Sequence, residues 1–113
     1  MDEKEPLLLV LITAPDIETA ERLARALVTR KIAACVNLSP GLVSVYSWEE
    51  ALQEDEEVLL MVKTREGLFE NQLIPVIHEL HPYDLPEIIA LPIIGGSQEY
   101  LDWIQEETSG DHN

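Results

Sequence analysis

The chain has 113 residues, of which 22 are acidic and seven are basic, so its formal net charge is −15. Its length is that of a single domain. The excess of carboxylates argues against nucleic acid or an anionic membrane surface as partners, because both need clustered lysine and arginine. No apolar run is long enough to cross a bilayer, the single cysteine cannot form an internal disulfide, and the acidic N-terminus does not resemble a signal peptide. These features predict a cytoplasmic protein.

A continuous apolar run at residues 7–13 predicts the first β-strand, and its lack of alternation is typical of a central strand that is buried on both faces. Pro15 ends this run, and Asp16 then has the position and the chemistry of a helix N-cap. Apolar residues recur at helical spacing from 17 to 28, so a helix with one buried stripe is predicted there.

Residues 32–48 have β character in two parts, which Pro40 and Gly41 separate. A proline-glycine pair inside a strand favours a bulge over a chain reversal, so the two parts are predicted to form one long strand. Alternation directs one set of its side chains to a common face: Ser44, Tyr46 and Trp48. Aromatic side chains beyond a small sheet need cover, which a partner subunit could supply.

Six carboxylates lie in residues 49–57, and this acidic segment is predicted to be the hairpin turn before a third strand at 58–64. Thr64 is the predicted cap of a second helix, whose apolar stripe runs from 69 to 80. Pro75 lies within that stripe. Because proline lacks the backbone donor that a helix interior needs, the helix is predicted to kink or split there.

A loop stiffened by two prolines occupies residues 81–86, and the last strand is predicted at 87–94. Pro92 within this strand favours an edge position, where a missing N–H costs little. Ser97 is the predicted N-cap of a short final helix.

The element order is therefore β-α-β-β-α-β followed by a terminal helix, which is the split β-α-β pattern of an α/β (α+β) fold with an antiparallel sheet. The usual order of this sheet is 4-1-3-2, with the first strand inside and the last at an edge. We expect one domain at residues 7–107, between a disordered acidic tail at 1–6 and a frayed tail at 108–113.

Two histidines near the end of the second helix are candidate metal ligands. His78 and His81 are three residues apart, a spacing that can bring two imidazoles to one cation. Asp84 and Glu87 lie just beyond them and could add oxygen ligands. The alternative is that His81 and Tyr83 form hydrogen bonds to the backbone of a rigid loop. Both interpretations stay open on the sequence alone.

Sequence motifs of catalysis are absent: there is no phosphate-binding glycine loop, no CxxC pair and no nucleophile motif. A hydrolase would need a nucleophile beside a base or a poised pair of carboxylates, and no local pattern offers either. Cys35 lies in an apolar strand and is predicted to pack in the core. The protein is therefore not expected to be an enzyme.

Five short segments combine into one pattern: AACVN at 33–37 with the following Pro40-Gly41, SVYSWE at 44–49, VKT at 62–64, HPYDLPEI at 81–88 and YLDW at 100–103. In their order and spacing, from about residue 8 to residue 104, they resemble the CutA divalent-cation tolerance family. Each segment alone is common, and it is the combination that is specific.

The resemblance implies a ferredoxin-like fold that assembles as a homotrimer, in which the long hairpin strands of neighbouring subunits pair. It also implies tolerance to divalent metal ions, with copper as a possible ligand and no required cofactor. The fold and the trimer resemble those of PII signalling proteins, which bind small effectors between subunits.

By position, three residues match the family's polar loop beside an intersubunit cleft: His81, Tyr83 and Glu87. Three more match residues that face this cleft: Tyr46, Trp48 and Lys63. The chain departs from the family at Ile12, where some members have a cysteine implicated in copper binding, and at Glu50, where the family often has glycine. The first departure argues against thiolate copper binding, and the second leaves the geometry of the hairpin turn open.

Two functions are compatible with such a trimer. One is a metal-responsive protein that binds a divalent cation weakly through His81 and Glu87, with His78. The other is a regulatory or scaffold trimer that binds a small effector or a protein in the cleft, by analogy of fold with PII proteins. An enzyme is the third and least favoured alternative.

Overall fold

The computed structural model describes residues 5–109. Its strands are β1 (Leu7–Ala14), β2 (Cys35–Trp48), β3 (Ala51–Arg65) and β4 (Ile88–Pro92), and its helices are α1 (Ile17–Thr29), α2 (Ile74–Leu80) and α3 (Gln98–Thr108). Within this range no helix is both long enough and apolar enough to cross a membrane.

The four strands form one antiparallel sheet in the order β2-β3-β1-β4, which confirms the predicted arrangement. β1 lies inside the sheet, with Leu8 opposite Thr64 of β3 on one side and opposite Pro92 of β4 on the other. Pro92 therefore lies on an edge strand, as predicted, where a residue without a backbone N–H is tolerated.

The helical layer covers one face of the sheet. Alternate residues of β1 and β3 point to this side and are fully buried: Val10, Ile12, Leu60 and Val62. They pack against apolar side chains of the helical layer, among them Leu23, Leu27, Leu73 and Ile77. The main core is thus the space between the sheet and the helices, as in other two-layer domains.

The opposite face of the sheet is covered only at one end, where Ile104 of α3 packs against Leu7. Six apolar side chains on this face are half-buried or exposed, and together they are called the open face below: Leu9, Leu11, Leu59, Met61, Ile89 and Leu91. The prediction that β1 is buried on both faces is therefore wrong for the single chain. Cys35, which pairs with Lys63 on this side, is half-buried and does not belong to the core, contrary to the prediction.

Two predicted helix caps are confirmed and one is wrong. Thr19 N–H donates to Asp16 Oδ1 at 2.8 Å, and this bond to the charged carboxylate lowers the pKa of Asp16. Ser97 caps α3 by accepting a backbone N–H bond at 3.4 Å. Thr64 caps no helix, because it lies within β3, where its Oγ1 donates to the carbonyl of Ile32 at 2.6 Å.

The second helical segment is divided, as Pro75 predicts. A 3-10 turn at Glu66–Leu68 and a π-helical turn at Phe69–Leu73 come first, and α2 begins only at Ile74. Pro75 then falls in the first turn of α2. Proline is tolerated near the start of an α-helix, and here its missing N–H falls directly after the π-helical turn.

The hairpin formed by β2 and β3 extends well beyond the sheet. Past Val58, the last residue of β3 that pairs with β1, the two strands continue as a two-stranded ribbon to Trp48 and Ala51. A register shift at Pro40 and Gly41 confirms the predicted bulge, and Gly41 has a φ of 87° that favours glycine. The ribbon carries most of the chain's acidic segment away from its own sheet.

The turn predicted at residues 49–57 is wrong. The chain reverses at Glu49 and Glu50 alone, and the other four carboxylates of that segment lie on β3. Glu49 and Glu50 have φ values of 52° and 66°, as the central residues of a type I′ turn require. The turn therefore forms although position 50 is glutamate and not glycine. Glu50 adopts a left-handed conformation, which is unfavourable for residues that have a β-carbon.

The predicted tails lie partly outside the described residues, which exclude 1–4 and 110–113. Within the described range, Arg65 joins both ends to the fold. Its Nη1 donates to Glu5 Oε1 at 2.5 Å, and its Nε and Nη2 donate to the carbonyl of Thr108 at 3.1 and 2.7 Å. Glu5 and Thr108 thus extend the bonded structure slightly beyond the predicted domain of 7–107.

Candidate functional site

A buried carboxylate lies where the hairpin leaves the sheet. Glu57 of β3 is only 7% exposed. Ser44 Oγ donates to its Oε1 at 2.6 Å, and Tyr83 Oη donates to its Oε2 at 3.1 Å. Burial of a carboxylate is costly unless hydrogen bonds or a cation compensate it. Both of these donors are neutral hydroxyls, so they do not compensate the negative charge of the carboxylate.

Tyr83 reaches this carboxylate from the loop between α2 and β4. Burial, and then the hydrogen bond to Glu57, raise the pKa of Tyr83 to about 12. The phenol therefore remains protonated and able to donate at any physiological pH. Tyr83 was predicted as a cleft residue, and its bond to Glu57 connects the loop to the base of the hairpin.

His81 is buried, and both of its ring nitrogens are hydrogen-bonded. Nδ1 accepts from the N–H of Tyr83 at 3.1 Å, so the ring proton lies on Nε2, which donates to the carbonyl of Thr13 at 2.7 Å. The ring also packs against that of Tyr83, with centroids 4.8 Å apart. The Nδ1 bond agrees with the alternative interpretation of the sequence, in which His81 bonds to the backbone of the loop. The Nε2 bond in addition holds this loop to the end of β1, and Tyr83 Oη bonds to a side chain and not to the loop backbone.

The candidate metal ligands do not converge in the chain that the structure describes. His78 and Glu87 are exposed, whereas His81 points inward. No group of three or more His, Cys, Asp or Glu side chains within residues 5–109 is placed to hold a metal ion. A metal at His81 would have to displace one of its two hydrogen bonds. The metal-binding role of His78, His81 and Glu87 stays a prediction.

The hairpin carries a second tyrosine-carboxylate pair. Tyr46 Oη donates to Asp55 Oδ2 at 2.5 Å, and this bond raises the pKa of Tyr46. The strand register places Ser44 opposite Asp55 and Trp48 opposite Ala51, so the predicted shared face is confirmed and it also contains Asp55 and Glu57. These two acids were not predicted as part of the site. Their spacing of two, continuous with the alternation of β3, was the available signal.

Lys63, the remaining predicted cleft residue, lies elsewhere in the single chain. It is six residues from Glu57 along β3, a separation of about 20 Å in an extended strand, and its Nζ donates to the side-chain oxygen of Asn37. Within one chain the predicted cleft residues are therefore divided between two places. Tyr46, Trp48 and Tyr83 lie by the hairpin, and Lys63 lies toward α3.

An antiparallel sheet in this order, with helices on one face and the β-α-β-β-α-β connections, defines a ferredoxin-like α+β protein. The CutA1 divalent ion tolerance protein family matches residues 8–107, and the chain belongs to this family. The predicted family and fold are both confirmed.

Relatives of known name agree over most of the chain. The divalent-cation tolerance protein CutA of Thermus thermophilus is 52% identical over 99 residues, which are 88% of this chain and 95% of that protein. The chloroplastic protein CutA of Arabidopsis thaliana is 48% identical over 91% of this chain, which spans only 56% of that relative's length. The crystal structure of CutA1 from Oryza sativa, 46% identical, superposes with a TM-score of 0.89 over 93% of this chain and 95% of that one.

Proposed function

We propose that this protein is a homotrimer that contributes to divalent-cation tolerance through a cleft between its subunits. The open face is the observation that carries the proposal. Six apolar side chains on one side of a central sheet lack cover in the single chain, although the sequence of β1 is that of a strand buried on both faces. Other copies of the chain, packed on the open face, would bury these six side chains.

The hairpin supports the same assembly. Its outer ribbon has no sheet beneath it in the described chain, and it exposes three aliphatic side chains besides the rings of Tyr46 and Trp48: Val43, Val45 and Leu52. An isolated two-stranded ribbon is marginally stable in water, so a ribbon of this length is expected to lie against a neighbouring subunit. The family resemblance implies that three copies close the ring.

Direct metal binding is proposed as weak and as dependent on the assembly. One subunit has no preformed group of three ligands within the described residues, so a tight site for copper or another divalent ion would need contributions from two subunits or rearrangement of His81. The exposed His78 and Glu87 are the candidates that require no loss of a hydrogen bond. The acidic surface attracts cations in general without selecting among them.

A binding role is proposed in preference to an enzymatic one. Both nitrogens of the buried His81 are engaged by backbone groups, so this histidine is not free to act as a base. Family membership names a tolerance to divalent ions and no reaction. The cytoplasm is the proposed compartment, on the grounds of the single cysteine, which cannot form an internal disulfide.

The second candidate is a PII-like trimer that binds a small effector or a protein in the cleft. The observation that favours it is the combination of a hydrogen-bonded carboxylate at Glu57 with the half-exposed rings of Tyr46 and Trp48 on one hairpin face. A rigid polar group beside aromatic surface is typical of sites that recognise organic molecules.

Calorimetric titration of metal-stripped protein with Cu²⁺ and Zn²⁺ tests the metal proposal, with the subunit number fixed in parallel by light scattering. Weak binding that is lost in Glu87→Gln, and retained in the exposed control Glu99→Gln, is the expected result. Saturable heats that are identical in the wild type, Glu87→Gln, His78→Gln and His81→Gln would remove the predicted ligands. A trimer without metal heats would favour the effector alternative, which a thermal-shift screen of nucleotides and organic acids would then examine.

A further inference from the structure

Among residues 5–109, five of the six lysine and arginine side chains either form ion pairs within the chain or lie on α1. Three form ion pairs within the chain: Arg30 with Glu79, Lys31 with Glu107 and Arg65 with Glu5. Arg22 and Arg25 are exposed on α1, which packs on the other face of the sheet. Lys63 lies on the same side of the sheet as the open face, and its ammonium group donates a hydrogen bond to the neutral side-chain amide of Asn37.

The two carboxylates at the base of the hairpin, Glu57 and Asp55, have no positively charged partner within residues 5–109. Glu57 is buried and accepts from Ser44 and Tyr83, and Asp55 accepts from Tyr46. The chain has no lysine or arginine after Arg65, so neither the 81–86 loop nor α3 can bring one to them. A buried carboxylate held only by neutral donors is most stable when a cation lies near it.

Lys63 and Glu57 lie on the same side of β3, because six residues separate them and side chains alternate along a strand. About 20 Å of extended strand keeps them from pairing within one chain. The open face between them is apolar, at Leu59 and Met61. Each subunit therefore presents an apolar surface with a cation at one end and two carboxylates at the other.

A ring of identical subunits uses heterologous contacts, in which one patch of a subunit meets a different patch of the next. We propose that Lys63 of one subunit forms an intersubunit ion pair with the carboxylates of Glu57 and Asp55 of its neighbour. This inference rests on the trimer proposed above and names the contact that completes the cleft. It brings together the cleft residues that one chain holds apart, with Tyr46, Trp48 and Tyr83 from one subunit and Lys63 from the next.

Zero-length cross-linking with a carbodiimide tests the contact directly, because it joins an amine to a carboxylate only where the two already touch. A trimer assembled by refolding an equal mixture of ¹⁴N- and ¹⁵N-labelled chains is cross-linked, digested and analysed by mass spectrometry. We expect peptides that join Lys63 to Glu57 or Asp55, about half of them with mixed labels. Lys63→Gln should abolish these peptides, and the control Lys31→Gln should leave them unchanged.

A double-mutant cycle covers the case in which the reagent does not enter the interface. Lys63→Met, Glu57→Gln and the double variant are compared by their trimer dissociation constants, and the pair should be coupled by about tenfold or more, as close interfacial charges are. Arg25→Met with Glu57→Gln is the control pair and should show no coupling. A trimer that gives neither the cross-link nor the coupling would overturn the ion pair while leaving the trimer intact. A single-chain mass for the wild type would overturn both.

Discussion

Replacing Glu50 by glycine should stabilise the protein, although it removes a side chain and creates no contact. Glu50 has a φ of 66° at the second position of the hairpin turn. A left-handed conformation costs a residue with a β-carbon about 1–2 kcal/mol, and the greater flexibility of glycine in the unfolded chain returns about 0.5–1 kcal/mol of that. A net gain of about 0.5–1 kcal/mol per chain is expected, which raises the Tm of a domain of this size by about 2–6 °C.

Thermal unfolding followed by circular dichroism at fixed protein concentration measures this gain, with light scattering to confirm that the number of subunits is unchanged. Glu54→Gly is the matched control. It removes the same side chain and the same charge from the same ribbon, but from an extended position on β3, so it should lower the Tm. Equal changes in the two variants would mean that lost charge, and not backbone conformation, determines the effect. No gain in Glu50→Gly would refute the strained turn.

Three further predictions concern the tyrosines and the helix cap. In a denaturant titration, Tyr83→Phe should destabilise the protein by about 1 kcal/mol, below the roughly 1.5–3 kcal/mol of a hydrogen bond to a charged group because Tyr83 is partly exposed. Tyr46→Phe, which removes the more exposed bond to Asp55, should cost less in the same titration. Because the pKa of Tyr83 is raised to about 12 in the folded protein, the stabilisation by its hydroxyl is complete below the unfolded pKa of 10.0 and is lost as the pH rises through 12. The difference in unfolding free energy between the wild type and Tyr83→Phe should therefore decrease from pH 10 to pH 12. A difference that stays constant over this interval would contradict the raised pKa. The pKa of Asp16 is lowered in the folded protein, so the stabilisation by its carboxylate is present above the unfolded pKa of 3.8 and is lost as the pH falls through the folded pKa. Asp16→Asn keeps a hydrogen-bond acceptor at the cap but cannot titrate, so its Tm should fall less steeply below about pH 4 than that of the wild type. The same dependence of Tm on pH in both proteins would count against the cap.

Much of the fold could be predicted because its signals are local. Asp16 and Ser97 precede helical patterns and cap them, the apolar run of β1 marks the inner strand, and Pro92 marks the edge. Each of these residues acts through groups close to it in sequence or through a single strand pairing. Such signals can be recognised in a short stretch of sequence.

The hairpin was predicted less well because strand pairing overrides local preference. Six carboxylates in nine residues are typical of a solvated turn, yet four of them continue β3 because β2 offers a partner of the same length. Thr64 was mistaken for a cap for a similar reason, since its place in β3 depends on pairing with β1. The intrinsic preference of a residue for or against a strand is weaker than the effect of pairing with a neighbouring strand.

The site was only partly predictable, because its contacts join distant segments. Tyr83 and Glu57 are 26 residues apart, and His81 bonds to a backbone carbonyl 68 residues away. Spacing within the 78–87 segment suggested metal ligands, whereas the inward turn of His81 follows from where β1 ends. The open face could not be foreseen either, since the apolar sequence of β1 predicts burial on both faces of the strand, whereas the helices of the single chain cover only one of them.

The mass of the protein in solution tests the central proposal most directly. Light scattering on the purified wild type at micromolar concentration should give about three times the chain mass of 12.7 kDa. Leu11→Glu, which places a charge in the middle of the open face, should reduce that mass to one chain, whereas a charge at the exposed Val28 of α1 should leave it unchanged. A wild type that remains a single chain across the concentration range would contradict the trimer and the cleft built on it.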